Sequence, residues 1–116
     1  DMSAEEMRQY LDQIEAMKGE VGSLDPDFLA AWANLSTQGG KDGALSARTK
    51  ELICVAIGVV SRCSFCIASH VKKALQLGAT RGEILEAGFV AVEMGGGPAM
   101  AYLSQVIAAC DEFGAK

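Results

Sequence analysis

Apolar residues recur at three- and four-residue spacing along most of the chain, and no segment shows a convincing two-residue alternation typical of a strand. Met7, Leu11 and Ile14 begin this pattern near the N-terminus. Gly and Pro residues divide it into segments of helical length. The pattern predicts an all-α fold of about six helices, over residues of about 4–18, 26–38, 47–60, 63–77, 80–94 and 98–110.

The predicted helices carry local start and stop signals. Ser, Thr and Asp side chains accept hydrogen bonds from the free N–H groups of a first helical turn, and Pro suits the first helical position. Such residues stand at four of the predicted starts: Ser3 with Glu6, Asp25 with Pro26, Ser46, and Thr80 with Glu83. Gly78 and the glycines and proline at 95–98 mark breaks, so we expect short turns there.

Residues 52–60 are apolar on every side of the predicted third helix. A helix that is hydrophobic all round is usually buried, so this segment should lie either at the centre of the core or against another subunit. A chain of 116 residues has the size of one domain. We therefore expect residues 1–116 to form a single domain that assembles into a homo-oligomer.

Charge and composition exclude several classes of function. The formal net charge of −5 and the scatter of the ten Lys and Arg residues disfavour binding to nucleic acid or to an anionic membrane. The longest apolar run, at 52–60, is far shorter than the ~20 residues of a membrane span. The start at Asp1 lacks the basic and apolar regions of a signal peptide. We expect a cytoplasmic protein, in which a close cysteine pair is redox-active or metal-binding.

Cys63, Cys66 and His70 stand at offsets of 0, 3 and 7, which places them on one face of a helix. A helix that starts at the pair puts Cys63 in the first turn, where the helix dipole stabilises a thiolate. His70 lies four residues after Cys66, close enough to take its thiol proton directly or through one water. The two thiols are thus expected to be activated by different groups.

Glu51 stands twelve residues before Cys63, too far to meet the pair along one continuous helix. If the chain reverses near residues 61–62, antiparallel packing brings position 51 opposite positions 70–71. A carboxylate there would orient the imidazole of His70, the only histidine of the chain, and stabilise its protonated form or pass a proton to it.

Other interpretations of these residues stay open. A CxxC pair can hold structural zinc, but such sites usually take four ligands, and this sequence offers one CxxC and one histidine. We therefore expect no metal and no cofactor. His70 can equally be a satisfied surface or core histidine, and Glu51 a solvated residue paired with Arg48 or Lys50. Two further cysteines are interpreted as buried small hydrophobic residues: Cys54 and Cys110.

Together Glu51, Cys63, Cys66 and His70 resemble the E-x11-C-x2-C-x3-H pattern of the alkylhydroperoxidase D branch of the carboxymuconolactone decarboxylase superfamily. The similarity continues through residues 77–84, which look like that superfamily's helix–turn–helix joint, and covers about residues 46–109. The resemblance implies an alkylhydroperoxidase D-like domain with a central antiparallel helical hairpin. It also implies assembly into homotrimers or homohexamers.

In that branch the residue matching Cys66 forms a sulfenic acid, the residue matching Cys63 resolves it or bonds a partner, and those matching Glu51 and His70 relay protons. The resemblance therefore implies a peroxidase that reduces a hydroperoxide, or a disulfide reductase. Its partners would be an external dithiol or a peroxiredoxin-like protein. Phe65 departs from the pattern, because alkylhydroperoxidase D carries a histidine there.

Two other functions stay as alternatives. The first is a decarboxylase of the carboxymuconolactone type, in which His70 and Glu51 act as acid and base and the cysteines take no part. The second is a non-catalytic helical oligomer that binds a small ligand or zinc. Replacing both cysteines would separate the three functions, because only the thiol chemistry depends on them.

Overall fold

The computed structural model describes the backbone of residues 2–116 and the side chains of residues 4–116. Over this part the chain is all-helical and has no strand. Six helices follow one another: α1 (Met2–Leu24), α2 (Pro26–Gly40), α3 (Ala47–Val60), α4 (Ser64–Gln76), α5 (Arg81–Gly95) and α6 (Gly97–Phe113). The prediction of an all-α fold of about six helices is confirmed. None of the described helices is long and apolar enough to cross a membrane.

Most of the predicted capping residues act at helix starts. Asp25 and Ser46 each accept a backbone N–H hydrogen bond at 3.0 Å, at the starts of α2 and α3. Thr80 and Glu83 form the predicted capping box of α5. The cap predicted at Ser3 concerns a side chain outside the described part of the structure. These starts depend on contacts within one helical turn, which is why the local sequence predicts them.

The first helix is longer than predicted, because it continues past residue 18 to Leu24. Gly19 and Gly22 lie inside it rather than after its end. A Cβ built on Gly22 would be 2.9 Å from Cδ2 of Leu29 in α2. This glycine therefore allows the close packing of α2 on α1. The helix stops only where Pro26 begins the next one.

The core lies between α3, α4, α5 and α6, with α1 packed against α4 and α6. Its largest fully buried side chains come from five helices: Met7, Val55, Val59, Ile67, Val71, Ile84, Val106 and Cys110. The remaining helix, α2, contributes no buried residue and packs mainly on α1. The core thus fixes α3 and α4, while α2 lies at the periphery.

Of the two places expected for residues 52–60, the centre of the core does not account for the whole segment. Val55 and Val59 are fully buried, but the side chains of Ile53 and Ile57 are 42% and 61% exposed. The physical reason is that α3 packs mainly against α4 and α5, which cover only part of its circumference. The other expectation for this segment, contact with another subunit, stays a prediction.

The end of α4 provides a test of this fold. Gly78 has a φ of 91°, and the N–H of Ala79 donates to the carbonyl of Ala74 at 3.0 Å. Residues other than glycine are strained at such a φ, so Gly78→Ala should lower the free energy of unfolding by about 1 kcal/mol. Gly19→Ala should instead raise it by up to ~1 kcal/mol, because Gly19 is exposed inside a helix. Urea unfolding of both variants measures this, and equal effects would contradict the assigned helix ends.

Candidate active site

The chain reverses between α3 and α4 within residues 61–63. The N–H of Cys63 donates to the carbonyl of Gly58 at 2.9 Å, and the N–H of Arg62 donates to that of Val59 at 3.1 Å. This is the hydrogen-bond pattern of a helix end whose next residue adopts the left-handed conformation. Arg62 takes that position with a φ of 55°, although glycine is preferred there. The turn therefore places Cys63 immediately before α4.

The two cysteines of the CxxC pair are linked by a disulfide, with their Cα atoms 5.2 Å apart. Cys63 is the residue that caps α4, and its Sγ accepts a hydrogen bond from the N–H of Cys66 at 3.1 Å. It thus lies one position before the first turn in which it was predicted. The pair occupies the positive end of the α4 dipole, and both residues are half-buried.

A close approach of α3 holds this pair in place. Gly58 is buried in α3, and a Cβ built on it would be 3.2 Å from Cβ of Cys66 and 3.5 Å from the backbone nitrogen of Ile67. The distance to Cβ of Cys66 is shorter than most contacts of real Cβ atoms, whereas the distance to Ile67 is an ordinary van der Waals contact. The absence of a side chain at Gly58 therefore lets the start of α4 lie directly on α3.

The structure brings Glu51 and His70 together, as antiparallel packing of their helices predicts. Nδ1 of His70 lies 2.7 Å from Oε1 of Glu51. Glu51 is the only buried charged residue among those described, with 8% of its surface exposed. The interpretation of Glu51 as a solvated partner of a neighbouring basic residue is wrong, because Arg48 binds Glu83 at 2.8 Å and Lys50 donates to a backbone carbonyl.

Cys54 belongs to the same cluster, which the sequence analysis missed. One ligand atom each of Glu51, Cys54 and His70 lies within 4.8 Å of the others. Burial, and then the charge of Glu51, raise the pKa of the Cys54 thiol. It is half-buried, so the prediction of a buried cysteine holds only for Cys110, whose pKa burial raises to about 11. The spacing of three between Glu51 and Cys54 was a usable signal for a shared helix face.

A cavity of about 410 Å³ opens beside this cluster and is lined by both Cys66 and His70. Its other walls come from α1, α2 and α4, and include apolar side chains and two lysines: Ile14, Met17, Leu29, Trp32, Phe65, Lys18 and Lys73. A larger depression of about 750 Å³ lies near the C-terminus and touches none of the predicted site residues. Of these two cavities, only the one of about 410 Å³ reaches a cysteine of the pair, Cys66.

Phe65 forms part of that cavity wall. Its ring lies edge-on against Tyr10 of α1, with the ring centroids 4.9 Å apart. The side chain remains 42% exposed. A phenyl ring cannot carry a proton, so Phe65 contributes only an apolar surface to the cavity.

Comparison with known sequences finds one family and several relatives. The sequence model of the carboxymuconolactone decarboxylase family matches residues 26–109. This match extends beyond the expected recognisable part, about residues 46–109, because it also includes α2. An uncharacterized protein encoded in the cox locus of Paracoccus denitrificans is 47% identical over 90 residues, which cover 78% of each chain. An uncharacterized protein of Cupriavidus necator is 34% identical over 95% of this chain and 97% of its own.

Two solved structures share the fold. A carboxymuconolactone decarboxylase family protein of Legionella pneumophila, crystallised in its apo form, has a TM-score of 0.89 and 34% identity, and covers 93% of this chain and 96% of its own. A protein of the same family from Thermotoga maritima, for which an involvement in an antioxidative response has been suggested, has a TM-score of 0.78 and 26% identity. That match covers 90% of this chain and 88% of the Thermotoga chain.

Proposed function

Because the chain belongs to the carboxymuconolactone decarboxylase family, we propose that it is a thiol-dependent oxidoreductase of the alkylhydroperoxidase D type. The observation that carries this proposal is the convergence of two features on one cavity. The disulfide-forming pair Cys63 and Cys66 lies at the start of α4, and the Glu51–His70 hydrogen bond lies one turn further along it. Cys66 and His70 both line the cavity.

The first step of the proposed reaction uses the reduced pair. His70 takes the thiol proton of Cys66, and the charge of Glu51 at 2.7 Å stabilises the resulting imidazolium. The Cys66 thiolate attacks one oxygen of a hydroperoxide and breaks the O–O bond. The leaving alkoxide takes the proton from His70 and departs as an alcohol, and Cys66 becomes a sulfenic acid.

The second step closes the disulfide. The Cys63 thiol gives its proton to solvent, and its thiolate attacks the sulfur of the Cys66 sulfenic acid. The S–S bond forms as the S–O bond breaks, and the leaving hydroxide takes a proton from solvent and departs as water. The position of Cys63 at the N-terminus of α4 stabilises its thiolate. An external dithiol then supplies two electrons and two protons by thiol–disulfide exchange, and restores the pair. In a variant of this proposal, the reduced pair acts on the disulfide of a peroxiredoxin-like protein.

Loss of the pair tests this function. Replacing Cys63 and Cys66 by Ser should reduce dithiothreitol-dependent consumption of cumene hydroperoxide to the rate of dithiothreitol alone. Cys110→Ser is the control, because Cys110 is buried away from the cavity, and it should keep the wild-type rate if it folds. Retained hydroperoxide turnover in the double variant would contradict the thiol mechanism. A wild type without hydroperoxide turnover would favour the decarboxylase alternative or the non-catalytic one.

The proton relay is tested separately by alkylation of the reduced protein. His70→Ala should slow alkylation of Cys66 at neutral pH by roughly ten-fold or more, because the thiolate loses its proton acceptor. Glu51→Gln should slow alkylation of Cys66 to a smaller extent. The alkylation rate of Cys63 should change less than that of Cys66 in both variants. Cys110 is an internal reference, since its pKa of about 11 keeps it unreactive until the pH rises towards that value. An unchanged Cys66 rate in folded His70→Ala would eliminate the relay.

The cavity favours an organic hydroperoxide as substrate, since its walls are largely apolar. Trp32 lines the cavity from α2, whereas Phe28 of the same helix does not. Trp32→Ala should therefore lower kcat/KM for cumene hydroperoxide by roughly ten-fold, through lost contact with the phenyl group. The value for hydrogen peroxide should change little. Phe28→Ala is the matched control, and an equal effect of both substitutions on cumene hydroperoxide would contradict this assignment.

We also propose that the chain acts in the cytoplasm as a homotrimer or homohexamer. Exposed apolar side chains of α3 and α5 line two adjoining shallow depressions that share Val90 and form one surface: Ile53, Ile57, Val60, Val90 and Met94. Ile57→Glu should reduce the mass measured by light scattering to that of a smaller species, because a charge is costly at a buried apolar contact. Leu24→Glu changes an exposed residue outside this surface and should leave the measured mass unchanged. A monomeric wild type at micromolar concentration would overturn the proposal.

A further inference from the structure

Cys54 has no part in the thiol mechanism, yet it lies beside both proton-relay residues. It stands one turn after Glu51 on α3, and His70 faces both residues from α4. One ligand atom of each residue lies within 4.8 Å of the other two. Unlike Cys110, Cys54 is only partly buried, and its neighbour His70 lines the 410 Å³ cavity.

We propose that Glu51, Cys54 and His70 form a binding site for one transition-metal ion of the zinc class. A carboxylate oxygen, a thiolate sulfur and an imidazole nitrogen are the three donor types that zinc takes from proteins. Three protein ligands and one open position are typical of zinc sites that also hold water or a small molecule. His70 lines the 410 Å³ cavity, from which such a fourth ligand can approach.

The distances fit an ion after small side-chain movements. Ligand atoms about 2.0–2.3 Å from a tetrahedral zinc ion are roughly 3.3–3.8 Å from one another. The three atoms here span up to 4.8 Å, while the Glu51–His70 contact of 2.7 Å is shorter than such a spacing. The ion therefore replaces the proton shared between these two side chains, and binding also releases the thiol proton of Cys54.

A divalent cation would neutralise the negative charges of the ligands in this cluster. Glu51 is a buried carboxylate, and Cys54 as a ligand adds a second negative charge, so a divalent ion gives a neutral centre. Lys73 on α4 also acts on Cys54 and opposes a cation electrostatically. Its side chain is exposed, however, and can turn towards solvent when an ion binds.

The proposal does not depend on the thiol function, since none of its ligands is Cys63 or Cys66. It does predict a connection between the two. An ion bound to Glu51 and His70 prevents both side chains from relaying protons. Binding of the metal and activation of Cys66 by His70 therefore exclude each other. Zinc is then an inhibitor of the thiol reaction rather than a participant in it.

The test uses the protein with its Cys63–Cys66 disulfide intact, so that Cys54 and Cys110 are the only thiols. Titration with Co²⁺ should give the intense near-ultraviolet absorption of a thiolate-bound ion at a stoichiometry of one per chain, and Zn²⁺ should abolish it by competition. Cys54→Ala should eliminate this absorption. It should also weaken Co²⁺ binding by at least roughly 10–100-fold, the loss that follows when a residue supporting a metal ligand is replaced. Cys110→Ala is the matched control and should retain both.

A second measurement needs no variant. Zn²⁺ should protect Cys54 of the oxidised wild type from alkylation, as followed by mass spectrometry of its peptide, and EDTA should restore the reaction. Absent thiolate absorption, absorption that persists in Cys54→Ala, or alkylation of Cys54 unaffected by Zn²⁺ would each overturn the site. Hydroperoxide turnover in metal-free buffer is measured independently, so failure of the metal site and failure of the thiol function are distinguishable.

Discussion

Burial of the Glu51 carboxylate and its hydrogen bond to His70 constrain the whole site. A carboxylate withdrawn from water costs several kcal/mol unless a partner compensates it, and only 8% of Glu51 remains exposed. The compensating partner is Nδ1 of His70 at 2.7 Å, on the next helix of the chain. This contact links α3 to α4 at the site, and helix geometry then places Cys66 one turn before His70 on α4.

Two backbone features make that contact possible. Gly58 leaves no side chain between α3 and Cys66, where even a Cβ would be 3.2 Å from Cβ of Cys66. Arg62 adopts the left-handed conformation and so reverses the chain within three residues. Such conformations in residues other than glycine cost free energy and persist where the surrounding packing fixes them. The turn thus places Cys63 at the N-terminus of α4, where backbone N–H groups and the helix dipole favour a thiolate.

The sequence predicted those features that depend on near neighbours in the chain. Asp25, Ser46 and Thr80 cap helices because their partners lie three residues away. Helix geometry alone places residues at the i, i+3 and i+7 positions of the site on one face of α4. The prediction ended α1 too early, near Gly19, whereas α1 continues to Leu24 and stops where Pro26 begins α2. Cys54 was missed because its role as a neighbour of His70 depends on the meeting of two helices. The exposed face of α3 likewise depends on which helices cover it, and that is a property of tertiary structure or assembly.

The most direct test of the thiol chemistry is a stoichiometric oxidation. Reduced protein receives one equivalent of cumene hydroperoxide in the absence of any reductant, and its free thiols are counted before and after. The chain has four cysteines, so the proposed reaction predicts a fall from four thiols to two, and peptide mapping should show the Cys63–Cys66 disulfide as the product. An unchanged thiol count, or a main product that links Cys54 or Cys110, would contradict the account.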